Sequence, residues 1–172
     1  MKKVFLTLVF LSFSICYAQE HMTFLGVSMN KTISSFQQEM TKKGFRFIEN
    51  LDQNTVHMKG GSFAGKENAN LLISCTPKSK KVAVVIAWFN DYKSDDHIKD
   101  AFKLFLLMYQ RKYGDYERVI QDDNYVYKFD SGIAPIALYM NPISYGIMSG
   151  CFFRYGDPKN CVLLLDESSD GI

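Results

Sequence analysis

The chain has 172 residues, 47% of them hydrophobic, with 20 basic against 18 acidic side chains. Lys2 and Lys3 belong to an N-terminal segment set apart below, and without them the balance is 18 to 18. That neutrality removes the electrostatic case for nucleic acid or an anionic membrane, and the length suits one domain with a real core.

Met1-Lys2-Lys3 is a short basic start, followed by the apolar run Val4 to Leu11 and the mixed stretch to Cys16. Tyr17-Ala18 then precede the polar Gln19-Glu20-His21. Basic, apolar and small residues in that order form a secretory signal, with cleavage expected after Ala18. The apolar run falls short of the ~20 residues a spanning helix needs. The alternative boundary is lipidation of Cys16, although Ile15 before it is larger than lipoprotein processing prefers. The expectation is an exported protein, periplasmic or secreted, with no transmembrane segment once the signal is removed. Residues 1–18 are then the signal peptide, 19–166 a single α+β domain, and 167–172 a flexible acidic tail.

Met22 to Val27 reads as a short first strand. Thr32 is placed to cap a helix, with Ile33, Phe36 and Met40 at helical spacing and Gly44 to end it. Strand signals follow at Phe45 to Ile48, Thr55 to Lys59, Asn70 to Cys75 and Val82 to Phe89. The last is apolar on both faces, which predicts a central strand covered on both sides. Ser94 opens a longer helix with Asp95 and Asp96 in its first turn. Its apolar face carries Ile98, Phe102, Phe105 and Tyr109, and Gly114 caps it. Further strands are expected at Glu117 to Gln121, Tyr125 to Phe129, Ile136 to Met140, Tyr145 to Phe153 and Val162 to Leu165.

These elements predict an α+β fold: an antiparallel sheet of about 7–9 strands with two main helices, near 32–43 and 95–113. The two halves rhyme. One helix ends Lys42-Lys43-Gly44-Phe45 and the other Arg111-Lys112-Tyr113-Gly114, each followed by strands, which hints at a duplicated helix-plus-sheet unit.

No motif commits the chain to a reaction. Cys151 and Cys161 flank the turn signal Gly156-Asp157-Pro158, and an exported protein can keep a disulfide. A hairpin centred on Gly156 would set their Cα atoms ~4.5 Å apart, within disulfide reach. A turn on Pro158-Lys159 would offset them and leave two buried thiols. Cys75 is the remaining cysteine outside the signal segment. As a nucleophile it would need His57 from a neighbouring strand, but it reads more simply as a small core residue. His21, His57 and His97 are too scattered for a metal site, and Asp95-Asp96-His97 reads as a helix start, so no metal and no cofactor are implied. Tyr125, Tyr127 and Phe129 alternate on one strand face. Such a strip can anchor a partner or a sugar, or simply fill a sheet surface.

Several segments carry a resemblance. Phe24-Leu25-Gly26-Val27, Thr32-Ile33-Ser34-Ser35-Phe36, Lys43-Gly44-Phe45, Gly61-Ser62-Phe63-Ala64-Gly65-Lys66 and Arg111-Lys112-Tyr113-Gly114 resemble small secreted proteins of unknown function from Bacteroides-type Gram-negative bacteria. The likeness spans roughly residues 1 to 116 and implies an envelope compartment, with no activity attached. The leading expectation is a non-enzymatic binding module of the envelope or secreted fraction, its partner a protein or a glycan. Small exported domains such as lactamase-inhibitor-like proteins are the fold analogy. The alternatives are a cysteine-dependent hydrolase using Cys75 and His57, or a homodimeric structural component of the envelope.

Overall fold

A computed structural model describes residues 21–121, 124–141 and 149–169. The export-signal reading of residues 1–18 and the part of the expected strand at 145–148 lie outside the described residues.

The chain opens with a two-strand hairpin, β1 (Thr23–Phe24) and β2 (Val27–Ser28), and helix α1 (Ile33–Lys42). A meander follows: β3 (Phe45–Asn50), β4 (Thr55–Phe63), β5 (Lys66–Cys75) and β6 (Val82–Phe89). Helix α2 (Asp95–Tyr113) then leads into β7 (Tyr116–Gln121), β8 (Asn124–Asp130), β9 (Pro135–Asn141) and β10 (Gly150–Gly156), and α3 (Pro158–Ser169) closes the described chain. The large sheet runs β3-β4-β5-β6-β10-β9-β8-β7, every neighbouring pair antiparallel. The two meanders therefore meet back to back at β6 and β10, each preceded by its own helix. The α+β class and the two main helices stand as the sequence predicts. Each helix also turns into its edge strand through a glycine in the left-handed region, Gly44 at φ 89° and Gly114 at φ 85°.

The helix signals work as read. Thr32 accepts from the Ser35 backbone N–H, and Ser94 accepts from that of His97. Both helices pack on one face of the sheet. α1 supplies Phe36 and Met40, and α2 supplies Ile98, Phe102, Phe105 and Tyr109, to a core with Leu71, Val85, Ala87, Phe89, Leu138 and Phe153. Phe153 sits at the seam: its ring meets Phe63 from the first meander at 5.0 Å and Phe105 from α2 at 4.9 Å, both edge-on. Gly150 permits that seam, because a Cβ there would fall 1.8 Å from the Phe89 carbonyl oxygen. Gly61 serves the first unit in the same way, since its Cβ would strike the Phe45 ring at 2.5 Å.

Four expectations need correction. β6 is covered less completely than expected: Ala83, Val85, Ala87 and Phe89 are buried under the helices, and on the other face Val82 and Trp88 are buried while Val84 and Ile86 are half-buried. The expected strand at Val162 to Leu165 is helical, within α3. The reason is local. Asp157 takes the cap position, accepting from the Asn160 N–H at 2.9 Å, and Pro158 sits at the first helical position, where its missing N–H costs nothing. That helix also removes the hairpin on which a Cys151–Cys161 bridge depended. Cys151 lies on β10 with its thiol near the Ile98 carbonyl (3.6 Å), Cys161 lies on α3 near the Ala83 carbonyl (3.4 Å), and both are free. Finally, the acidic tail begins as the last turn of α3, and Glu167 accepts from the backbone N–H groups of Lys78 and Ser79 in the β5–β6 turn.

Candidate functional site

α2 is long enough to reach across the outer strands of its own meander. Ile98, Phe102 and Leu106 recur along one flank of the helix, and this flank faces Tyr125 and Tyr127 of β8 and Met140 of β9. Between them lies a cleft of ≈ 440 Å³ whose rim adds Asp95, Lys99, Lys103 and Asn124. Its lining is mostly apolar. The rim charges are locally balanced: Lys99 pairs with Asp96 at 3.2 Å and Lys103 with Asp100 at 3.1 Å, one helical turn apart. Surface pairs of this kind add little binding energy and no net field. Any ligand in this cleft would therefore meet mostly apolar contact.

The three aromatics of β8 divide their work. Phe129 is fully buried against Tyr109 at 5.6 Å and belongs to the core. Tyr127 is half-buried, its ring 5.4 Å from Phe102 and edge-on to Tyr116 at 5.2 Å, and it forms the cleft floor. Tyr125 is 54% exposed and carries the Arg118 guanidinium over its ring at 5.0 Å. Ile120, directly opposite Tyr125 on β7, is 71% exposed. An apolar surface thus continues from the cleft onto the edge strand of the sheet.

The other face of the sheet, bare of α1 and α2, holds a second aromatic arrangement. His57 stacks on Trp88 (5.3 Å), Trp88 on Phe152 (6.3 Å) and Phe152 on Tyr139 (5.1 Å), crossing from β4 to β9. Phe152 is fully buried within this row and Trp88 nearly so, so the row stiffens the sheet rather than presenting rings to a partner. Both ring nitrogens of His57 are engaged: Nε2 donates to Asn70 Oδ1 at 3.2 Å, and Nδ1 lies 3.6 Å from the Glu49 carboxylate.

Cys75 and His57 are not brought together. His57 pairs across the ladder with Leu72, and Cys75 is three residues further along β5, roughly 10 Å by strand rise. The Cys75 thiol is 1% exposed, and burial pushes it up from its ordinary value, which opposes the thiolate a nucleophile requires. Burial likewise raises Cys151, to about 11, and Cys161. Among the described residues, no three His, Cys, Asp or Glu side chains converge as a metal-ligand set. No helix there is long and apolar enough to cross a membrane.

No family model matches the chain, and neither does any curated protein or solved structure. The site must therefore be read from its own geometry. Sequence patterning found one wall of the cleft, the Tyr125 and Tyr127 strip. It placed Ile98 and Phe102 on the apolar face of the helix, where they are buried, but could not show which strand they face, because that depends on sheet order.

Proposed function

We propose that this chain is an exported, non-enzymatic binding module of the cell envelope or secreted fraction, and that it receives an apolar segment of a partner protein in the cleft between α2 and β8–β9. The observation that carries the reading is the cleft itself. It is a largely apolar groove of ≈ 440 Å³ with charge-balanced edges, continuous with the exposed Tyr125 and Ile120. A groove of this size lies within the usual range for ligand sites and suits two or three apolar side chains of a docked segment. The signal-like start, Met1 to Ala18, supports the compartment. The half-exposed tyrosines would also accept a glycan, and that is the competing outcome of the test.

The test is capture from envelope and culture-fluid fractions with the exported protein, compared with its Leu106→Asp variant. Leu106 is only half-buried, so the variant should keep its melting temperature. The proposal expects a protein held by the wild type and released by the variant. Capture that survives Leu106→Asp, or that is competed away by soluble glycan, contradicts it.

A further inference from the structure

Two hairpin turns of this chain have the same unusual backbone. The loop of the β1–β2 hairpin is Leu25-Gly26, at φ 49° and 76°, and that of the β4–β5 hairpin is Ala64-Gly65, at φ 50° and 77°. Both are type I′ turns, which need positive φ at both positions, and Asn or Asp ordinarily holds the first. Leu and Ala are disfavoured there, and such backbone strain concentrates at functional sites. Both turns line one pocket of ≈ 340 Å³, on the side of α2 formed by Met108, Lys112 and Tyr113.

The pocket wall also includes Tyr109 and Tyr155, each 7% exposed, with hydroxyls hydrogen-bonded to each other at 2.5 Å. Two phenol groups hold two protons and share one hydrogen bond. One O–H is therefore left without an acceptor among the described residues. Burial holds both phenols well above their ordinary value, so the spare group is a donor across the physiological range. The lining contains one charged side chain, the exposed Lys112, and no carboxylate. Its ammonium lies over the Tyr113 ring at 4.8 Å. Phe63 completes an aromatic wall, held by Phe24 at 5.3 Å and Phe153 at 5.0 Å.

We propose that this pocket binds a small molecule bearing a six-membered ring with a carboxylate on it or one carbon removed, with Lys112 and the spare tyrosine O–H receiving the carboxylate and the aromatic wall receiving the ring. The charge is complementary, the donor count leaves one hydrogen bond to be made, and the volume holds about one substituted ring. The ring chemistry has two sources, an aromatic acid or a sugar acid, because aromatic faces accept both. This site stands apart from the α2–β8 cleft and does not depend on it.

The test is a titration of the exported protein with phenylacetate and, separately, with glucuronate, followed by amide NMR near neutral pH. The proposal expects saturable shifts at the Gly26, Ala64, Gly65 and Tyr113 amides with at least one of them. A response to phenylacetate alone assigns the aromatic source, and a response to glucuronate alone the sugar source. Lys112→Met, a change on an exposed side chain that leaves the fold intact, should weaken the bound acid about tenfold, the worth of one charge-assisted hydrogen bond. Tyr155→Phe, checked for an unchanged amide spectrum elsewhere, should weaken it several-fold. Unshifted amides with both acids overturn the proposal, and so does undiminished affinity in Lys112→Met.

Discussion

In the first unit α1 spans ten residues and seats Phe36 and Met40 with no exposure. In the second, α2 spans nineteen. Counted back from Gly44 and Gly114, α1 has no counterpart for Asp95 to Phe102. That added length is where Asp95, Ile98, Lys99 and Phe102 line the cleft. The two units thus share one topology, and the longer helix of the second adds the flank that lines the α2–β8 cleft. The first unit is braced further by α3, whose Asn160 donates to the Val82 carbonyl at 2.8 Å and whose Glu167 holds the β5–β6 turn.

The largest expected effect comes from breaking the seam between them. Phe153→Ala removes a fully buried ring that touches both units and should cost about 3–5 kcal/mol. Urea unfolding followed by Trp88 fluorescence and by helix signal should still show one coincident transition, shifted to lower urea. Separate transitions would mean the units are independent bodies. Next is the brace. Asp157 is fully buried and accepts from the backbone N–H of Met22 at 2.7 Å and of Asn160, with the His21 ring 3.2 Å away. Asp157→Ala should cost about 2–3 kcal/mol by leaving those donors unpaired. Hydrogen exchange should then rise first in α3 and in the β1–β2 arm.

The helix caps sharpen the comparison itself. Thr32→Ala and Ser94→Ala should each cost about 1 kcal/mol in thermal unfolding. Only Ser94→Ala frays the added turns of α2, so it alone should weaken partner capture. The smallest effect is expected on the outer face of α2, where Leu107 is 51% exposed. Leu107→Glu should change stability by less than about 0.5 kcal/mol and leave capture unchanged. Thiol labelling of the native protein separates Cys75, Cys151 and Cys161. Cys161, half-exposed, reacts first, while buried Cys75 and Cys151 wait for unfolding.

Local chemistry made much of the fold legible. Thr32, Gly44, Ser94 and Gly114 marked both helices, and the all-apolar Val82 to Phe89 marked the central strand. α3 was misread because Val162 to Leu165 is a four-residue apolar run, which period alone cannot assign. Asp157-Pro158 carried the helix-start signal but also reads as a turn. The site was half legible for a different reason. Tyr125 and Tyr127 alternate visibly within one strand. Their pairing with Phe102, like that of Tyr109 with Tyr155 and of Trp88 with Phe152, follows from which strands become neighbours. No local pattern encodes the order β6-β10-β9-β8.

The most direct test of the central claim places a photo-crosslinking benzophenone amino acid at single positions in the protein. Tyr125 reports on the cleft of the second unit, and Ile48, 41% exposed on the edge strand β3, reports on the first. The account predicts that irradiation in cell-envelope and secreted fractions yields one discrete protein adduct from position 125, lost when Leu106→Asp is added, and none from position 48. An adduct from position 48 with none from position 125 would contradict it.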